Sequence, residues 1–325
     1  MRRRDFINGI VGTMAAGPLA ARAQQPVMPV VGFLRSVSLA DAADLVAAFR
    51  QGLKEAGFIE GQNVAIEFRS AEGDPNRLPS LVAELISRPV AVIVGNSRAA
   101  LAAKASTTTI PIVFAYGGDP VRDGLVASLN RPGGNVTGVN FFAGALGTKR
   151  LQLLRQLVPK GTTIAMLMNS GSPETEAERR DVQVAARTLG QELIILDVSS
   201  GRDIEAAFAT FVQRGVGALL VGSGPIFFAK RAQILALVAR HALPACYVQS
   251  EYVRAGGLMS YGASIPDAYR QAGIYVGRIL KGDNPSNLPV MQATKFEFLL
   301  NLKAAKTLGL DVPPTLLATA DEVIE

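Results

Sequence analysis

Val90-Ala91-Val92-Ile93-Val94-Gly95-Asn96-Ser97 decides the fold: five apolar residues stop at small hydrogen-bonding groups, and an alanine-rich helix begins at once. A strand with no polar side is what a central parallel strand needs when helices cover both faces of its sheet. Four similar runs flank it: Val30–Ser36, Val64–Ser70, Pro111–Tyr116 and Val136–Asn140. A second set of five follows: Ile164–Ser170, Leu193–Val198, Ala218–Ser223, Pro244–Ser250 and Gly257–Tyr261. Nearly all stop at Gly, Ser, Asn, Asp or Tyr, and amphipathic stretches separate most of them. That alternation predicts parallel βα units, hence an α/β protein with two doubly wound parallel-sheet lobes. Ligands of such sheets sit outside the carboxyl ends of the strands. Two facing sets of uncharged strand ends suit trapping a solute better than catalysis.

The helices follow the same logic. Leu45, Val46, Phe49 and Leu53 share one face of a helix that Asp41 caps and Gly57 ends. Leu78, Leu81, Val82, Leu85 and Ile86 share a face after Asp74-Pro75, as do Leu151, Leu154 and Leu157 after Gly147. Ser172-Pro173 and Ser223-Gly224-Pro225 read as a cap followed by a first-turn proline. Tyr269, Ala272, Val276, Ile279 and Leu280 form a late amphipathic helix, placed to return to the first lobe. Thr294–Asn301 reads as a last strand and Leu302–Leu308 as a short helix, and Pro313-Pro314 is expected to end regular structure.

Upstream of the first strand, Arg2, Arg3 and Arg4 precede an uncharged stretch from Phe6 to Ala21 that closes on Ala21-Arg22-Ala23. This is the order of an export signal cleaved after Ala23. Arg3-Arg4-Asp5-Phe6-Ile7 resembles a twin-arginine (Tat) leader, with a Sec signal as the alternative. The stretch falls short of the roughly 20 apolar residues of a membrane span. The net charge is +6, and about half of it belongs to this leader. No basic run interleaved with aromatics points to nucleic acid. The single cysteine, Cys246, leaves no disulfide within the chain and no lipid attachment point near its start.

Ile110–Phe114, Asp119-Pro120-Val121, Gly124-Leu125-Val126 and Pro132-Gly133-Gly134-Asn135-Val136-Thr137-Gly138-Val139 stand in sequence. Together with Asn301–Leu310 and Pro313-Pro314, they resemble the ABC-transporter substrate-binding family that includes tryptophan- and tyrosine-binding lipoproteins. The resemblance covers almost all of the chain after the leader. It implies a type I periplasmic binding fold with three crossovers, lobe 1 being residues 28–140 plus about 265–292 and lobe 2 residues 141–264 plus about 293–325. It also implies capture of a small-molecule solute, an amino acid or a related carboxylate or aromatic compound, for delivery to an ABC permease. In two places the chain departs from the pattern. The leader has no acylatable cysteine, and Gly222-Ser223-Gly224 stands where an acid is expected to meet a ligand amino group. Amidine, urea-like and carboxylate solutes stay open.

Candidate ligand groups are the polar residues at the strand ends. In the first set these are Ser36, Asn96, Ser97, Tyr116, Asp119 and Asn140. Asn96 and Ser97 stand where a helix start attracts an anion, unless Ser97 merely caps that helix. Tyr116 offers a stacking face or packs in the core, Asp119 meets a cation or fixes its turn, and Asn140 is a ligand group or part of a hinge. The second set contributes Asn169, Ser170, Ser223, Gln249, Ser250 and Tyr261, with Gln249 offering both donors and an acceptor. One His and one Cys argue against a metal cluster or a Cys–His dyad, and neither a G-x-S-x-G elbow nor a phosphate-binding glycine loop is present. No catalytic residue, metal or cofactor is expected, and the protein is expected to act as a monomer. A sensory module presenting solute to a membrane receptor or kinase is the alternative function.

Overall fold

A computed structural model describes residues 28–171, 175–293 and 296–325. The leader reading and the Ser172-Pro173 cap lie outside the described residues, as do the side chain of Asp41 and the start of the strand expected from Thr294. The chain runs β1 (Val30–Arg35), α1 (Ala43–Glu55), β2 (Ala65–Ser70), α2 (Leu78–Ile86), β3 (Val90–Asn96), α3 (Ser97–Ser106), β4 (Ile112–Tyr116) and β5 (Val136–Asn140). It continues through α4 (Gly147–Leu157), β6 (Ile164–Asn169), α5 (Thr175–Thr188), β7 (Leu193–Val198), α6 (Gly201–Gln213), β8 (Ala218–Val221), α7 (Pro225–Ala229), α8 (Arg231–Arg240), β9 (Ala245–Tyr247), α9 (Ser250–Arg254) and β10 (Met259–Ala263). Last come α10 (Ile265–Leu280), β11 (Met291–Gln292), β12 (Phe296–Asn301), α11 (Leu302–Thr307), α12 (Pro314–Leu317) and β13 (Glu322–Ile324).

Two sheets result. The first has the order β11-β5-β4-β3-β1-β2 and is parallel throughout; the second is β13-β12-β10-β9-β8-β6-β7. The chain passes from the first sheet to the second after β5, returns after β10, and passes over again between β11 and β12. These are the three crossovers of the fold. Val92, Ile93 and Val94 of β3 are buried on both sides, by α1 and α10 on one face and by α2 and α3 on the other. In the second lobe α4, α5 and α11 cover one face, while α6 and α8 cover the other. Helices α1 and α10 meet backbone to backbone: a Cβ on Gly52 would lie 1.8 Å from the Arg270 carbonyl oxygen, and one on Gly273 2.3 Å from that of Phe49.

The structure corrects three expectations and adds a strand. Pro313-Pro314 does not end regular structure, because Pro314 starts α12 and β13 adds an edge strand beyond it. Proline suits a first helical position, where its missing N–H has no partner to lose. The second sheet is not wholly parallel: β12 pairs antiparallel with β10. It enters from the first lobe at the cleft end of the sheet, so it can only run away from the cleft. Strand β11 went unread because two residues carry no periodicity. Ser223 does not cap the helix at Pro225; Gly224 takes that position with φ +144°, a conformation open to glycine alone at little cost.

Candidate functional site

The carboxyl ends of the two sheets face each other across a cavity of about 40 Å³. The first lobe lines it with Arg35 at the end of β1, Asn96 and Ser97 at the β3–α3 junction, Ala115 of β4, Leu45 of α1 and Tyr269 of α10. The second contributes Gly224, Pro225 and Phe228 around α7, with Val248 and Gln249 after β9. Phe141, Ala143 and Ile265 come from two of the crossovers. Pro225 also borders a wider cleft of about 900 Å³, walled by Ser36, Arg98, Asn169, Ser170, Ser200 and Lys230 among others.

Arg35 dominates the chemistry. It is 2% exposed, its Nη1 donates to the Tyr269 hydroxyl at 2.7 Å, and its Nε has no hydrogen-bond partner. The guanidinium carbon lies 5.9 Å from the centre of the Tyr269 ring. Among the described residues no carboxylate lies within ion-pair distance of it. A buried cation without a counter-ion costs roughly several kcal/mol, so this one is placed to receive an anion.

Asn96 prepares the same wall. Its Oδ1 accepts the Ser36 N–H at 3.0 Å and its Nδ2 donates to Ser36 Oγ at 2.9 Å, so its side chain turns away from the helix it precedes. Asn96 therefore makes no cap hydrogen bond to α3, whose positive dipole end favours a negative group at the cavity. On the opposite wall Gln249 is 5% exposed, and its Oε1 accepts no hydrogen bond. Phe141, Phe228, Leu45, Val248 and Ile265 make the rest of the lining apolar.

The other sequence candidates fall into three groups. Ser36, Asn169 and Ser170 border the wider cleft. Ser223 stands behind the cavity, 1% exposed, with its N–H donating to Glu178 Oε2 at 2.8 Å and its Oγ unpartnered. Tyr116, Asp119, Asn140, Ser250 and Tyr261 are not on either wall. Tyr116 is fully buried in the core and donates to Asp123 at 2.8 Å; Asp119 accepts the N–H groups of Val121 and Arg122. Asn140 uses both ends of its amide, donating to the Gly118 carbonyl of the β4–β5 connection and accepting the N–H of Phe142 in the first crossover. Phe142 there has φ +47°, a strained value for a bulky residue. Ser250 accepts from Arg254, and the Tyr261 carbonyl accepts from Arg150.

Sequence reading missed Arg35, Tyr269, Phe141 and Phe228. No acid stands at Gly222-Ser223-Gly224 to meet a ligand; the carboxylate behind that turn is Glu178 of α5, which lines neither cavity. Burial pushes its carboxyl up, opposed by the charge of Arg150 and the N–H of Ser223. Both partners of the Arg150–Glu178 pair are fully buried.

A model of the family described as ABC transporter substrate binding protein matches residues 31–324. The chain belongs to this family. A tyrosine-binding protein of Clostridioides difficile (strain R20291) is 24% identical to this substrate-binding protein over 263 residues, 81% of this chain and 75% of that one. A domain from Streptococcus pneumonia solved in complex with L-Trp is 25% identical and superposes with a TM-score of 0.82, covering 91% of this chain and 99% of the other. A conserved domain protein from Vibrio cholerae gives 0.83 at 24% identity with the same coverage.

Proposed function

We propose that this protein is the periplasmic receptor of an ABC importer and that it clamps a small carboxylate with an apolar body between its lobes. Family membership supports the transport role, and the names of its relatives direct attention to tyrosine and tryptophan and the acids related to them. Arg35 and the start of α3 at Asn96-Ser97 take the carboxylate, Gln249 meets a polar substituent, and Phe141, Phe228 and Tyr269 enclose the body. Ser36, Asn169, Ser170 and Ser223 back these walls. Residues 28–140 with 265–292 move as one lobe against the remainder, and contacts from both sides favour the closed arrangement. The protein acts as an exported monomer without catalysis, carrying its solute to the permease after the leader is removed.

The single observation that carries the ligand class is the buried, unpaired Arg35. Isothermal titration of the mature chain against amino acids and small carboxylates tests it. Once a ligand is found, Arg35→Met is expected to weaken it at least about 30-fold, the low end of what losing one partner of a buried charge pair costs. The unliganded variant should be no less stable than the parent, since an apolar side chain relieves an uncompensated charge. A full panel without binding, or an Arg35→Met protein that binds as well as the parent, would remove the assignment.

A further inference from the structure

We propose that the cavity selects a carboxylate bearing a hydroxyl over the α-amino acid of the same carbon skeleton. The inference rests on the carboxylate reading of the site and specifies it. Its basis is the balance of charge on the walls. Among the described residues Arg35 is the one ionised side chain in the lining, and no Asp or Glu accompanies it. Among the described residues, each nearby acid lies outside that lining. Glu178 is sealed between Arg150 and the Ser223 N–H. Asp119 is exposed and holds its own turn. Glu72 and Asp74 border the wider cleft. Glu251, two residues beyond Gln249, feels the charges of Arg231 and Arg254 and is not part of the cavity wall.

An α-amino acid brings a carboxylate and an ammonium. The first is matched by Arg35; the second would be a further cation in a largely apolar lining where no described residue offers an anion to meet it. The vacant acceptor opposite is neutral, the Oε1 of Gln249. A hydroxyl donates to it without adding charge, so a 2-hydroxy acid satisfies both walls. The zwitterion satisfies the hydrogen bond but not the charge.

Skeleton-matched pairs test this on the mature protein by isothermal titration: L-lactate with L-alanine, 2-hydroxy-4-methylpentanoate with L-leucine, 3-phenyllactate with L-phenylalanine, and indole-3-lactate with L-tryptophan. The expected result is that the hydroxy acid binds at least tenfold tighter than its amino acid in the skeleton that fits best. Gln249→Leu should then reduce that hydroxy acid to the affinity of its deoxy analogue, 3-phenylpropanoate in the phenyl series. Equal or tighter binding of the amino acid overturns the inference; if Arg35→Met still abolishes that binding, the carboxylate reading survives. Binding of neither member of any pair overturns both.

Discussion

Arg35 shows how a functional residue hides in a sequence. It follows Val31-Gly32-Phe33-Leu34, and a charge after such a run reads as a strand emerging into solvent. Its burial depends on Tyr269, which lies 234 residues further along and reaches it from α10. No local pattern contains that contact. Asn96 and Gln249 were legible because a polar residue ending a buried parallel strand has one place to be, the mouth of the sheet. Tyr116 and Tyr261 satisfied the same rule but point to the wrong side. Side chains alternate along a strand, and Tyr116 falls on the face covered by α2 and α3. Cys246 offers a check at this scale. It is fully buried, and burial pushes its thiol up to about 12. Since the thiolate is the reactive form, the native protein should take up no Ellman reagent at pH 8, and one equivalent after unfolding in urea. Rapid labelling of the folded protein would show that the core around β9 is open.

Among the elements, the long periodic ones were readable and the short ones were not. Strands β5 and β7 match their apolar runs residue for residue, whereas β8 and β9 stop short of theirs. Strands β11 and β13 have two and three residues, and their pairing is imposed by the sheets they join. The α1–α10 contact also lacked a visible signature, since Gly52 and Gly273 look like weak points in good helices. Their purpose is the approach of two backbones. Gly273→Val would drive methyl groups into the Phe49 carbonyl and the Leu53 nitrogen. Overpacking of that kind is expected to destabilise the protein by about 3 kcal/mol, read from the urea midpoint. A shift below about 0.5 kcal/mol would mean that the helices separate freely.

For the molecule as a whole, the lobes already touch. Arg98 of α3 donates from Nε to the Gly171 carbonyl at 2.5 Å and from Nη2 to that of Ser170 at 3.3 Å, and Phe228 of α7 joins the apolar cluster of the first lobe. Arg98→Ala removes two cross-cleft hydrogen bonds at a partly exposed place, a loss of about 1 kcal/mol after exchange with water. Solution scattering should show a larger radius of gyration for the unliganded variant, and ligand affinity should fall by about fivefold. An unchanged radius would mean that closure is held elsewhere. The two-lobe architecture was legible because repeated βα units announce it; the relative pose of the lobes was not, since it depends on contacts such as this one. The route of α10 has a further consequence. It covers the first sheet with Tyr269, Ala272 and Val276, yet the ribosome makes it only after all of β6–β10. A nascent chain of some 260 residues therefore carries a half-clad β-layer, and severing the gene at the first crossover would yield a fragment prone to clump instead of a free-standing half.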